Sequence, residues 1–63
     1  MSQTVESIKE QFEAFLAEND KFTGGNSAAG TRARKALQEM TKLAKARRAE
    51  ITEEKNARKE AKA

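Results

Sequence analysis

Between residues 24 and 49 the chain sets seven basic side chains, Arg32, Arg34, Lys35, Lys42, Lys45, Arg47 and Arg48, against one carboxylate, Glu39. Cations gathered in this way break no bonds. They hold anions, through charge-assisted hydrogen bonds to oxygen and through release of the counterions that a polyanion carries. Directly ahead of them runs "GNSAAG", small residues that can leave the backbone N–H groups of a helix start open to a phosphate, with Arg32 and Arg34 as a clamp. The same small residues would also let the turn pack closely on Phe22, and Gly30 would relieve crowding there. For catalysis the sequence offers almost nothing. With His 0 and Cys 0 it has no thiol nucleophile, no imidazole base and no soft metal ligand, and its carboxylates stand beside lysines on helix surfaces. No enzyme, cofactor, metal or small-molecule substrate is expected.

The net charge of +3 conceals a sharp asymmetry. Residues 1–23 hold five acids (Glu6, Glu10, Glu13, Glu18, Asp20) and two bases (Lys9, Lys21), whereas residues 50–63 hold four of each. An acidic, then basic, then neutral chain points to a polyanionic partner for its middle, with nucleic acid first and an anionic membrane surface second.

The elements that position these bases are helices. Pro is absent, and 12 of the apolar residues are Ala, leaving 11 large ones: Met1, Val5, Ile8, Phe12, Phe15, Leu16, Phe22, Leu37, Met40, Leu43 and Ile51. Val5, Ile8, Phe12, Phe15 and Phe22 recur at helical spacing with heptad, coiled-coil character, which predicts a short acidic helix over about residues 3–22, capped by Ser2 or Thr4. Thr23, Gly24 and Gly25 end it in a turn over 23–26. Asn26 or Ser27 then caps a long basic helix over about 27–60, with a frayed charged end. The expected fold is all-α, a two-helix antiparallel hairpin forming a single domain over 1–63. Val5, Ile8, Phe12, Phe15, Leu16, Phe22, Leu37, Met40, Leu43 and Ile51 form its core and dimer seam. A chain this short rarely stabilises itself with one seam, so two hairpins are expected to pair as a homodimer in a four-helix arrangement. No apolar run suits a membrane span or signal peptide, so a cytoplasmic protein is expected.

On a wheel of about 100° per residue, Arg34, Lys35, Lys42, Lys45 and Arg48 share the face of the second helix opposite its apolar stripe. Arg47 falls inside the stripe, near Glu6 or Glu10 of the folded-back first helix, where an ion pair fixing the register is expected. Phe12, Phe15 and Phe22 lie on the apolar stripe, so no aromatic serves to stack on single-stranded bases. No helix-turn-helix spacing appears, and contact with the duplex backbone is expected in place of sequence readout.

"GNSAAGTRARKALQEMTKLAKARRAEI" resembles the bacterial linker-histone-like family first associated with chlamydial chromatin, through its "GN-x-A-A" turn, "R-x-R", leucines and "K-x-x-R". The likeness covers about residues 3–55 and rests on Gly25, Asn26, Ala28, Ala29, Gly30, Arg32, Arg34, Lys35, Leu37, Leu43, Lys45 and Arg48. It implies binding and compaction of DNA with little sequence preference. Family members often continue into a Lys-, Ala- and Pro-rich tail that does not follow "ARKEAKA", so condensation by such a tail is not expected of these residues.

Charge and likeness lead to one expectation. A nucleoid-associated, histone-like protein binds double-stranded DNA through Asn26, Ser27, Arg32, Arg34, Lys35, Lys42, Lys45 and Arg48. The alternative is a helical adaptor, or an RNA- or ribosome-binding protein, whose basic face meets a different acidic partner.

Overall fold

The computed structural model describes residues 2–62, with side chains through Lys59. Met1, counted above among the large apolar residues, lies outside the described residues. Two helices make up the fold, α1 over Gln3–Thr23 and α2 over Ser27–Lys62. They fold back on each other as the expected antiparallel hairpin, 57 × 17 × 13 Å across its Cα atoms.

Each end of the turn has a local cause. The Ser2 hydroxyl accepts from the Val5 N–H at 3.2 Å, which makes Ser2 the cap of α1. At the other end the Gly24, Gly25 and Asn26 N–H groups donate to the carbonyls of Asp20, Phe22 and Lys21, each at 3.0 Å, so carbonyls that α1 leaves open are satisfied by the turn itself. Gly25 has φ 109°, a conformation that costs an L side chain dearly and glycine almost nothing. Asn26 then starts α2, its Oδ1 accepting from the Ala29 N–H at 3.2 Å. Of the two expected caps it is therefore Asn26 that acts, and Ser27 is the first helical residue.

The core differs from the expected one. Among the described residues the buried apolar side chains are Ala29, Ala33 and Ala36, a small-residue line along α2, and α1 buries none of its own fully. Phe12, Leu16, Phe22, Leu37 and Ile51 stay 43–52% exposed, while Val5, Ile8, Phe15, Met40 and Leu43 are half-buried. The reason is geometric. One neighbouring helix covers only part of a helix's circumference, and the line of closest approach passes along the alanines, so the large side chains flank the contact and do not fill it.

The register brings Phe22 against Gly30 so closely that a Cβ built on Gly30 would stand 2.6 Å from the ring. This is the close-packing role weighed above for the small residues of the turn. Further along, the Arg32 guanidinium donates to Glu18 at 2.7 Å. At the open end the Thr4 hydroxyl donates to Glu50, joining residues 46 positions apart.

Candidate nucleic-acid interface

The hairpin has four long surfaces, set by which residues α1 and α2 turn toward each other. One side is a groove of about 410 Å³ lined by Phe15, Asn19, Phe22, Ala33, Arg34 and Leu37 among others. The opposite side carries Gln11, Ala14, Glu18, Arg32, Lys35 and Glu39. The remaining two are the outer faces of the helices.

On the outer face of α2, Thr31, Arg34, Lys35 and Gln38 line one shallow hollow. At about 1.5 Å per residue, Arg34 to Lys45 and Arg48 extend this face into a band roughly 20 Å long. All five bases, Lys42 included, are exposed. Lys42 reaches Glu39 at 3.7 Å, a loose and solvated pair. Among the described residues, Arg34, Lys35, Lys45 and Arg48 enter no ion pair, so their charge is directed into solvent.

The other expected site residues lie elsewhere. Asn26 and Ser27 stand at the turn, a full helical turn or more before Arg34, and the Asn26 side chain is engaged in capping. Arg32 is turned away from the outer face toward α1, where Glu18 also receives Lys21 at 3.6 Å. The hydrogen bond from Arg32, with the nearby positive charge of Lys21, holds the Glu18 carboxyl below the ordinary 4.5. Arg32 therefore secures the hairpin, and the band that remains free to meet a polyanion starts at Arg34.

The expected partner of Arg47 needs correction. Arg47 does not reach Glu6 or Glu10; it donates to Glu50 at 2.9 Å and lies 3.7 Å from Glu54. Both carboxylates sit on its own helix, three and seven residues on, where little side-chain entropy is lost in meeting them. Glu50 in turn accepts from Thr4, and these two donors, Thr4 first, lower its pKa from 4.5. The register at the open end is thus fixed by Arg47, Glu50 and Thr4 acting in series. The sequence suggests Thr4 only as a helix cap and gives no sign of its contact with Glu50, whereas the Glu three residues after Arg47 is a legible local partner.

The family described as Histone H1-like protein Hc1 matches residues 2–57. The chain belongs to that family. The match runs through both helices and the turn, so the acidic helix belongs to the family pattern as much as the basic one. This is the linker-histone-like family that "GNSAAGTRARKALQEMTKLAKARRAEI" resembles, and it is a histone-like, non-enzymatic kind. No curated protein and no solved structure matches the chain. Among the described residues no helix is long and apolar enough to cross a membrane.

Proposed function

We propose that the chain binds double-stranded DNA without sequence preference and compacts it as a nucleoid-associated protein in the bacterial cytoplasm. In this reading Arg34, Lys35, Lys42, Lys45 and Arg48 meet phosphates, and two hairpins work as a homodimer. One observation carries the reading: from Ser27 to Thr52 the outer face of α2 presents these five bases against a single carboxylate, Glu39, which stands at the edge of the face and meets only Lys42. A helix that needed only solubility would mix both signs, as the sequence from Glu50 to Lys59 does. Membership of a histone H1-like family supports DNA as the polyanion.

Backbone contact is favoured over base readout because the band is mostly lysine, a point charge suited to phosphate, and has no aromatic or amide side chain placed to read a base edge except Gln38. At the turn, a phosphate would take the N–H groups of Ser27 and Ala28, the Ala29 N–H being held by Asn26. The exposed Phe12, Leu16 and Leu37, which a monomer would leave in water, support the homodimer.

The test is a titration of random-sequence duplex DNA at several salt concentrations, with structured RNA and an acidic protein as competitors. Binding that weakens steeply with salt and is displaced best by duplex DNA supports the reading. Preferential displacement by RNA, or by the acidic protein, replaces it with the corresponding alternative.

A further inference from the structure

The homodimer just proposed can close its apolar sides in two ways, and the charges beside those sides distinguish them. By helical spacing Val5, Phe12 and Leu16 fall along one side of α1, roughly at right angles to the contact between the helices, on the side where Phe15 and Asn19 border the groove with Leu37; Phe12, Leu16 and Leu37 are exposed there. The flank of α1 beyond them carries Glu6, Glu13 and Asp20 with one base, Lys9, so three acids against one base leave it net negative. The corresponding flank of α2 carries Arg34 and Arg48, and Arg34 already borders the apolar groove.

A twofold axis running across the hairpin would lay α1 on its own copy and α2 on its own copy. Asp20 and Glu6 would then face acids, and Arg34 and Arg48 would face bases, and like charges brought together repel. A twofold axis running along the hairpin lays α1 of each copy on α2 of the other, with both turns at the same end. Heights then match. Because Glu18 meets Arg32 and Thr4 meets Glu50, Arg34 lies within about one turn of the height of Asp20, and Arg48 within about one turn of Glu6. Leu37 comes opposite Phe12 and Leu16.

We infer that two copies pair in this second way, α1 of each against α2 of the other, so that their basic faces point in opposite directions and one dimer joins two DNA duplexes. The occupant of the apolar side is thus a second copy of this chain. A body 57 × 17 × 13 Å has a long side able to supply the roughly 800 Å² per partner of a stable interface. The pairing rests on the homodimer proposed above, and the joining of duplexes rests on the DNA reading as well.

The pairing is tested on the free protein, without DNA, by sedimentation across a salt series. Opposite-charge flanks make the dimer loosen as salt rises; like-charge flanks would make it tighten. Asp20→Arg should weaken the dimer about tenfold, since two symmetry-related pairs are lost and replaced by repulsion, and Arg34→Asp should do the same. Asp20 and Arg34 lie on opposite outer edges of one hairpin, so recovery to within about twofold in the double variant can come only from pairing between copies. Circular dichroism confirms that each variant is folded. A monomer at every concentration, a dimer that tightens with salt, or a double variant no better than the singles overturns the pairing.

The joining of duplexes is read by capture of a labelled duplex on beads that carry a second one. The wild-type protein should capture it, and Leu16→Glu should keep binding to a single duplex while losing capture. Binding without capture by the wild type overturns the joining. Failure to bind any duplex sinks the DNA reading, and the joining with it, while the sedimentation result still decides the pairing.

Discussion

Removing Lys42 and Lys45 together probes the proposed band most directly. Both side chains are exposed on the outer face of α2, and Ala is the better helix former, so Lys42→Ala with Lys45→Ala should leave the hairpin folded. The loose contact of Lys42 with Glu39 at 3.7 Å is a solvated pair whose loss is worth little. Each phosphate contact on B-DNA contributes about 0.9 to the slope of log affinity against log salt, so losing two should flatten the slope by about 1.8. Over a fourfold rise in salt the wild type should therefore lose roughly twelvefold more affinity than the variant. This figure does not depend on how many other bases touch the duplex. The assay is fluorescence anisotropy with a short duplex of random sequence, run beside Lys55→Ala with Lys59→Ala as a charge-matched control. Those two lysines stand among Glu53, Glu54 and Glu60, so the control slope should move much less. Equal flattening in the two variants would mean that net charge alone governs binding, and that the outer face of α2 is not the site.

Arg32→Ala should lower the melting temperature while changing the salt slope little, because Arg32 is spent on Glu18 at 2.7 Å; a full 0.9 loss of slope with no change in melting would reverse that assignment. Asn26→Ala should destabilise the hairpin by about 1 kcal/mol through loss of the α2 cap, read by denaturant unfolding. Glu18 and Glu50 have carboxyls held below 4.5 in the fold, so they contribute stability that is present above the unfolded value and is lost as pH falls through the lowered folded values. Melting temperature should accordingly hold between neutral pH and about pH 5 and fall below 4.5, with a smaller fall in Glu50→Gln. Phe12→Ala should cost little at concentrations where the protein is monomeric, since Phe12 is 49% exposed in the hairpin, and more where copies pair; a concentration-independent loss would separate Phe12 from the dimer interface.

The hairpin was legible because each of its signals is local. The spacing of Val5, Ile8, Phe12 and Phe15 is a property of one helix, the paired glycines are adjacent, and Asn26 needs only Ala29 to act as a cap. Which residues one hairpin buries is less legible, because burial depends on a neighbour. The large apolar residues mark the hydrophobic side of each helix, yet Ala29, Ala33 and Ala36 mark the line along which two helices can approach closely. Those two lines coincide in a bundle with neighbours on several sides and diverge when there is only one neighbour. Arg47 was misplaced for a related reason. A wheel position inside the apolar stripe says that the side chain lies near the other helix, but it does not rank a carboxylate across the hairpin against Glu50 on the same helix.

The same divergence of lines bears on what the protein can do. If the large residues filled the hairpin interior, the molecule would be a closed unit with a basic outer face, able only to coat DNA. Because alanines make the contact within the hairpin, Phe12, Leu16 and Leu37 remain outside it, on a side at right angles to the basic band. A surface that buries itself against a second copy and a surface that meets phosphate therefore do not compete for the same side chains along most of their length. Lys35, Lys42 and Lys45 belong to one, Phe12 and Leu16 to the other, and only Arg34 and Arg48 stand at the border. Ser27→Asp tests the end of the band nearest the turn. An acid in the first turn of α2, which now has none, should stabilise the helix by about 0.3–1 kcal/mol through the dipole. If a phosphate sits on the Ser27 and Ala28 N–H groups, the same variant should lose DNA affinity and flatten the salt slope by about 0.9, more than Gln3→Asp, which puts an equal charge at the far end of α1. Equal effects from the two variants would leave the turn with the packing role that Phe22 and Gly30 already give it, and the DNA band would begin at Arg34.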